Sequence, residues 1–253
     1  PAKKLDFAEV QPKIPATQPG FQADAISLAN TARRLSVAKL QKLMSISQPL
    51  AKLNQARFKS FEAEPAPECT KPAALVFAGD TYMGLEAGSF DADELRYAQT
   101  HLRILSGLYG LLRPMDQIQA YRLEMGSRLA TRRGKSLYQY WGNRLAEELN
   151  MVAEASNTEF LLNCASVEYF TAVAPKTLKP QVITPVFMET KDGQDRIVSF
   201  FAKKARGAMA RFAVQNRIDR PEGVKDFDLG GYRFQADQSE GLNLVFTRPY
   251  PEV

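Results

Sequence analysis

The sequence has few of the side chains on which common metal and redox sites depend. Its 253 residues include only two cysteines and one histidine. Cys69 and Cys164 are far apart and form no CxxC pair, so we expect no disulfide framework, no conventional zinc site and no cofactor. Two isolated thiols are typical of a reducing compartment, which predicts a cytoplasmic protein.

Long apolar runs are missing as well. No stretch of about 18 or more apolar residues occurs, so no segment is expected to cross a membrane. The chain does not open on a basic, then apolar, then small-residue leader, which argues against secretion. Because the first residue is proline rather than methionine, we expect that residues upstream have been lost. The apolar fraction of 45% is ordinary for a globular protein and predicts a hydrophobic core.

The net charge of +5 is modest, but the charges are segregated along the chain. Residues 25–61 contain seven basic residues and no acid, and residues 62–94 contain eight acids and one lysine. Residues 197–218 again contain five basic residues and no acid. A folded surface inherits such an asymmetry, so we expect cationic faces suited to a nucleic-acid backbone.

The pattern of apolar residues predicts one α/β domain over 1–253, with a mixed sheet and flanking helices. Residues 24–61 predict three short helices, with Ser36 and Ser47 at N-cap positions. Residues 191–194 (KDGQ) predict a hairpin turn. The other predicted helices cover 91–106, 141–149 and 200–217, and the predicted strands cover 73–78, 160–164, 182–189, 196–201, 232–235 and 242–247.

Residues 200–217 give the clearest functional signal. On a helical projection one arc of about 160° holds all the basic residues, namely Lys203, Lys204, Arg206, Arg211 and Arg217. Gly207 lies in the same arc and costs about 1 kcal/mol relative to alanine, so it predicts close approach of a phosphate or of another backbone. The alternative is a solvated face of an ordinary amphipathic helix.

The acid-free helices of 25–61 supply a second group of candidates for binding a DNA backbone. Helix N-termini attract phosphate, and nearby lysine and arginine add a salt-dependent attraction. The turn at 35–37 is similar to that of a helix-hairpin-helix, although Ser36 stands where that motif usually has glycine. The alternative is an ordinary helical lobe covering the sheet. The candidates here are Arg33, Arg34, Lys39, Lys42, Lys52 and Arg57.

Three carboxylates keep an enzymatic alternative open. Asp80 follows a predicted strand, and Glu124 and Glu168 lie in YRLEMG (121–126) and NCASVEYF (163–170). If these carboxylates met Lys203 or Arg206 in one cleft, acid–base catalysis on a nucleotide or a phosphorylated small molecule would be possible. The competing role is structural pairing with the same basic residues.

Seven segments of the sequence resemble, in order, those of the YaaA family of bacterial peroxide-stress proteins. They are PAKKLDF (1–7), FAGDTYMGL (77–85), HLRILSGLYGLLRPMD (101–116), YRLEMG (121–126), GKSLYQYWG (134–142), NCASVEYF (163–170) and FAKKARGAMARF (201–212). The resemblance covers essentially the whole chain. Members of the family begin with a short apolar strand before PAK, in agreement with the lost start inferred above.

The resemblance implies a cytosolic protein that is induced by hydrogen peroxide, lowers free iron and protects DNA. It also implies an α/β domain that has a helix-hairpin-helix-like element, here at about 33–59, and a positively charged cleft that binds double-stranded DNA. The cleft residues implied are Lys203, Lys204, Arg206 and Arg211, followed by Arg113, Arg122 and Lys135.

The resemblance brings no established reaction, so a non-enzymatic function is favoured. We expect a monomer without a protein partner. Direct sequestration of iron is the weakest hypothesis, because only carboxylate ligands are available for it.

Overall fold

A computed structural model describes residues 4–11 and 13–251. In this part of the chain eleven α-helical segments alternate with short strands and 3-10 turns. The helices are α1 (Gln22–Arg33), α2 (Val37–Met44), α3 (Gln48–Lys59), α4 (Ala73–Val76), α5 (Asp80–Leu85), α6 (Ala92–His101), α7 (Leu137–Trp141), α8 (Arg144–Ala155), α9 (Val167–Thr171), α10 (Ser199–Gln215) and α11 (Pro221–Val224).

Nine strands form one larger sheet and two small ladders within the described residues. They are β1 (Lys71–Pro72), β2 (Ile104–Ser106), β3 (Gly110–Leu112), β4 (Gln117–Ile118), β5 (Phe160–Leu162), β6 (Gln181–Lys191), β7 (Gln194–Arg196), β8 (Arg233–Glu240) and β9 (Asn243–Pro249). The larger sheet has the order β5-β6-β9-β8, with β7 paired to β6. Strands β5 and β9 run parallel to β6, whereas β7 and β8 pair antiparallel with their neighbours. This mixed sheet with flanking helices confirms the predicted fold class.

Local signals in the sequence placed several of these elements correctly. Ser36 caps α2 by accepting a hydrogen bond from the Lys39 amide, and Asp91 forms a capping box with Glu94 at the start of α6. The hairpin joins β6 to β7 through Asp192 and Gly193, both of which have left-handed φ angles of 53° and 71°. These features depend on neighbouring residues only, which is why the sequence predicts them.

Four predicted elements are wrong or misplaced. Residues 73–78 form the single helical turn α4 and not a strand, because the amides of Ala73 and Ala74 donate to carbonyls of a distant loop. The helix predicted over 91–106 ends at His101, and β2 pairs with β3 instead. Gly142, at φ 52°, separates α7 from α8 where one helix was predicted, and α10 begins where a strand over 196–201 was expected.

Two hydrophobic clusters hold the fold together. The larger one surrounds the fully buried Trp141 and joins α1–α3 to the middle of the chain through Leu28, Leu40 and Phe58. The smaller one lies between α10 and the five-stranded sheet, where Met209 of α10 packs with residues such as Phe187 and Phe246. Helix α10 is therefore covered by the sheet on one side.

Candidate functional site

Helix α10 is covered on a second side by α5, and a pair of glycines sets this contact. A Cβ on Gly207 would lie 1.7 Å from the carbonyl oxygen of Thr81, and a Cβ on Gly84 would lie 2.0 Å from that of Lys204. Only glycine lets two backbones approach so closely. Gly207 thus serves the approach of a neighbouring backbone, one of the two roles that its position in the sequence predicts.

The contact between α5 and α10 forms one wall of a cleft of about 1100 Å³. Further lining comes from residues 121–124, from the carboxyl end of β5 and from helix α9. Ten charged side chains line the cleft, six of them basic and four acidic: Lys4, Asp80, Arg103, Arg122, Glu124, Glu168, Lys203, Arg206, Asp219 and Arg220. The lining is therefore mixed in charge, with a small excess of positive side chains.

The three carboxylates considered as catalytic candidates all line this cleft. The ammonium group of Lys203 lies 4.0 Å from the carboxylate of Asp80. Arg122 Nε donates to one oxygen of Glu124 at 2.9 Å, and Arg122 Nη2 lies 2.8 Å from the same oxygen. The other Glu124 oxygen is buried and has no hydrogen-bond partner among the described residues. Glu168 Oε1 accepts from the Gly126 amide at 2.9 Å. The fold thus brings together carboxylates that are far apart in the sequence.

Arg206 is one of four basic residues of the cleft that have no carboxylate partner in the described part of the chain; the others are Lys4, Arg103 and Arg220. Arg206 Nε donates to the carbonyl oxygen of Ala202 at 3.3 Å, and burial lowers the pKa of Arg206 from the usual value. The Cys164 thiol lies near it. Burial raises the pKa of that thiol to about 12, although the positive charge of Arg206 acts in the opposite direction. Cys164 therefore remains a protonated thiol at neutral pH.

The helical lobe, which we define as α1–α3, presents a different electrostatic surface. Helices α2 and α3 pack against each other and are joined by Ser45-Ile46-Ser47, with Ser45 in the left-handed region at φ 51°. Among the described residues its exposed cations have no ion-pair partner; they are Arg34, Lys39, Lys42, Lys52 and Lys59. The chain contains no acid between residues 25 and 61 that could neutralise them locally.

Comparison with known proteins shows the family. A family model described as Peroxide stress protein YaaA matches residues 1–238. The chain belongs to this family. It is also 60% identical over 250 residues to a UPF0246 protein of Ruegeria pomeroyi, covering 99% of this chain and 97% of that relative. A UPF0246 protein of Phenylobacterium zucineum is 49% identical over 251 residues, covering 99% and 94%. Membership of the peroxide-stress family supports a role in peroxide stress.

Several of the basic residues predicted to bind DNA in this YaaA-family chain carry paired or partly buried charges. Arg113 bonds the buried carboxylate of Asp116, Arg122 bonds Glu124, and Arg211 bonds Glu86. Arg33 donates to two backbone carbonyls of the lobe, and burial lowers the pKa of Arg57. Lys204 and Lys135 are exposed, and no ion pair of theirs occurs among the residues that the structure describes.

The expectation that α10 presents its whole basic arc to solvent without neutralising acids is wrong. Gly207 is buried, and Arg206 and Arg211 are half-buried against α5 and the cleft. Glu86 neutralises Arg211, and Asp93 neutralises Arg217. Both acids come from the acid-rich segment 62–94. The sequence could have indicated this pairing, because an acid-rich segment and an acid-free basic segment occur in the same chain and can attract each other in the fold. Sequence reasoning also missed Asp24, which binds Arg133 and Arg144.

Two features are absent from the described residues, a membrane-spanning helix and a cluster of metal ligands. No helix there is both long and apolar enough to cross a membrane. No group of three or more His, Cys, Asp or Glu side chains is arranged there to hold a metal ion.

Proposed function

We propose that this protein acts in the peroxide-stress response by binding the backbone of double-stranded DNA through its helical lobe, without strong preference for sequence. The observation that carries the proposal is the group of exposed, unneutralised cations on α1–α3. Each phosphate contact made by such a side chain releases counterions, which gives affinity without reading bases.

The connection between α2 and α3 supports the same proposal. A left-handed residue at Ser45 lets the chain reverse tightly, so that α3 begins three residues later, at Gln48. No acid lies in the first turn of α3, so its free backbone amides are favourable for a phosphate group, although Pro49 has no N–H to donate. We therefore place the helix-hairpin-helix-like element at α2–Ser45–Ile46–Ser47–α3 and move its hairpin from 35–37 to 45–47.

The decisive experiment compares two matched double variants by fluorescence anisotropy with short duplexes of unrelated sequence. Lys39→Glu/Lys42→Glu changes two exposed lysines of the lobe. Lys176→Glu/Lys179→Glu changes two exposed lysines at the same spacing, far from it in sequence. We expect the lobe variant to bind all duplexes about tenfold or more weakly at about 50 mM salt, since it loses two phosphate contacts. The control should bind as the parent does.

The salt dependence sharpens this test. Removal of two phosphate contacts should reduce the slope of log affinity against log salt by about 2, and by the same amount for each duplex. Equal slopes for the two double variants, or a loss confined to one sequence, would contradict backbone binding through the lobe.

The lowering of free iron that the resemblance implies belongs to the same proposal. We expect cells lacking the protein to hold more iron detectable by electron paramagnetic resonance after exposure to peroxide. The parent protein should restore the low level and the lobe variant should not. Full restoration by the lobe variant would separate the effect on iron from DNA binding.

A further inference from the structure

The cleft between α5, α10 and loop 121–126 has the dimensions of a small-molecule site. Its volume of about 1100 Å³ lies just above the range for ligand pockets, which is about 300–1000 Å³. A DNA duplex is far too wide for such a volume. None of the residues of α1–α3 lines the cleft, so it is separate from the surface proposed to bind DNA.

One part of the cleft is built to hold an anion. Arg206 has a partly buried guanidinium without a carboxylate partner in the described residues. Lys203, whose ammonium group lies 4.0 Å from the carboxylate of Asp80, is one helical turn earlier on the same wall. The desolvation that lowers the pKa of Arg206 is a cost that a bound anion would offset. Guanidinium binds phosphate through paired N–H donors, and lysine adds a point charge.

A second part of the cleft contains the carboxylate of Glu124, one oxygen of which accepts no hydrogen bond from the described residues. Both contacts of Arg122, the hydrogen bond from Nε and the ion pair of Nη2, are made to one Glu124 oxygen, so at least half of the acceptor capacity of the carboxylate remains. The other oxygen is buried without a partner among the described residues, which is costly unless a ligand supplies a donor.

The position of Glu124 is fixed by its neighbours. A Cβ on Gly107 would lie 2.3 Å from the carbonyl oxygen of Leu123, so the loop rests directly against another backbone. On the other side the amides of Met125 and Gly126 donate to Tyr169 and Glu168 of α9. A polar side chain held so firmly next to a cleft is typical of a group that orients a ligand.

We infer that the cleft binds a small phosphate monoester such as a nucleoside monophosphate. The phosphate group lies at Arg206 and Lys203, and an N–H or O–H donor of the same molecule bonds Glu124. The site provides the binding step that the enzymatic alternative requires, and it is independent of the lobe and of DNA binding.

Isothermal titration with adenosine monophosphate, ribose 5-phosphate, inorganic phosphate and adenosine tests this assignment. We expect the three phosphates to bind and adenosine to bind at least tenfold more weakly than its monophosphate. Arg206→Gln should weaken all three phosphates at least tenfold, and Arg206→Lys, which keeps the charge but loses the paired donors, by less. Lys204→Gln, an exposed neighbour that does not line the cleft, is the matched control and should bind as the parent does.

Glu124→Gln tests the contribution of Glu124 to binding separately from that of Arg206 and Lys203. It should weaken adenosine monophosphate severalfold and leave inorganic phosphate unchanged, because only the larger ligand reaches that residue. Circular dichroism and a thermal melt confirm that each variant is folded. Absence of heat with every phosphate at millimolar concentration, or equal binding by parent and Arg206→Gln, would overturn the inference.

The proposal of a small-molecule site and the proposal of DNA binding can be contradicted independently of each other. Arg206→Gln should retain duplex binding within about twofold, and Lys39→Glu/Lys42→Glu should retain binding of adenosine monophosphate. Competition between a duplex and adenosine monophosphate for a single site would contradict the separate small-molecule site and leave the DNA proposal standing.

Discussion

Helix α10 and the helical lobe α1–α3 carry the same kind of positive charge but place it in different surroundings. In α10, Arg211 is paired with Glu86 and Lys203 lies 4.0 Å from Asp80, and just after the helix Arg217 is paired with Asp93. The five exposed cations of the lobe have no ion-pair partner within the described residues. An acid-free stretch of sequence therefore predicts an open cationic surface only where no acidic segment folds against it.

Gly207→Ala changes the close contact between α5 and α10, which brings those acids to α10. Of the proposed substitutions it should lower the free energy of unfolding the most. Alanine is favoured over glycine in a helix by about 1 kcal/mol, but here its Cβ would overlap the Thr81 carbonyl. We expect a net loss of about 3 kcal/mol or more in the free energy of unfolding, measured by urea denaturation. Gly88→Ala, whose added Cβ would have nothing within 4 Å, is the control. A Gly207→Ala variant as stable as the control would contradict the close approach.

Asp24→Asn tests the contact that fixes the lobe itself. Burial alone would raise the pKa of Asp24, but hydrogen bonds from Arg144, Tyr140 and Arg133 outweigh it and lower the pKa to about 2. Since the folded pKa lies below the ordinary 3.8, the carboxylate stabilises the fold above that value and its contribution is lost as pH falls towards 2.

We therefore expect Asp24→Asn to lose about 2 kcal/mol of unfolding free energy at neutral pH. The loss should shrink between about pH 4 and pH 2, because the parent protonates its own carboxylate there. Urea denaturation at several pH values measures both effects. A difference between parent and variant that is the same at pH 7 and pH 2 would show that the charge of Asp24 is not the cause.

Single charge reversals should change duplex affinity by the smallest amount, and they compare the helical lobe with α10 most directly. We expect Lys39→Glu in the lobe to weaken duplex binding about fivefold and Lys204→Glu on α10 to weaken it less than twofold. Both lysines are exposed, but Lys204 is close in sequence to side chains whose positive charge is offset by Asp80 and Glu86. Anisotropy at low salt measures both variants. A larger loss for Lys204→Glu would move the DNA-binding surface to α10.

How much of the fold could be predicted depended on the range of the interactions. The cap at Ser36, the helix start at Asp91 and the turn at Asp192-Gly193 could be predicted because each depends on a few adjacent residues. Ser47 is at the predicted N-cap position of α3, but its side chain makes no capping hydrogen bond. Residues 73–78 were not, since a short apolar run fits a strand or a helical turn equally well. Distant carbonyls accepting from Ala73 and Ala74 decided between them.

In the candidate site, too, the sequence predicted some features and only the fold decided others. Sequence motifs pointed to Asp80, Glu124, Glu168 and Arg206 one by one, and the fold placed all four around a single cleft. The unused oxygen of Glu124 could not be foreseen, because it depends on how Arg122 is oriented by a loop packed against Gly107.

The sequence alone determined the α/β class, the family, the three helices of the lobe and the sign of the charge that they carry. The family follows from seven segments that resemble those of its members in order, and the other properties follow from composition, periodicity and neighbouring residues, which are local. The tertiary structure decided which charges remain free and which carboxylates meet, because ion pairing and desolvation depend on distances between segments that are remote along the chain.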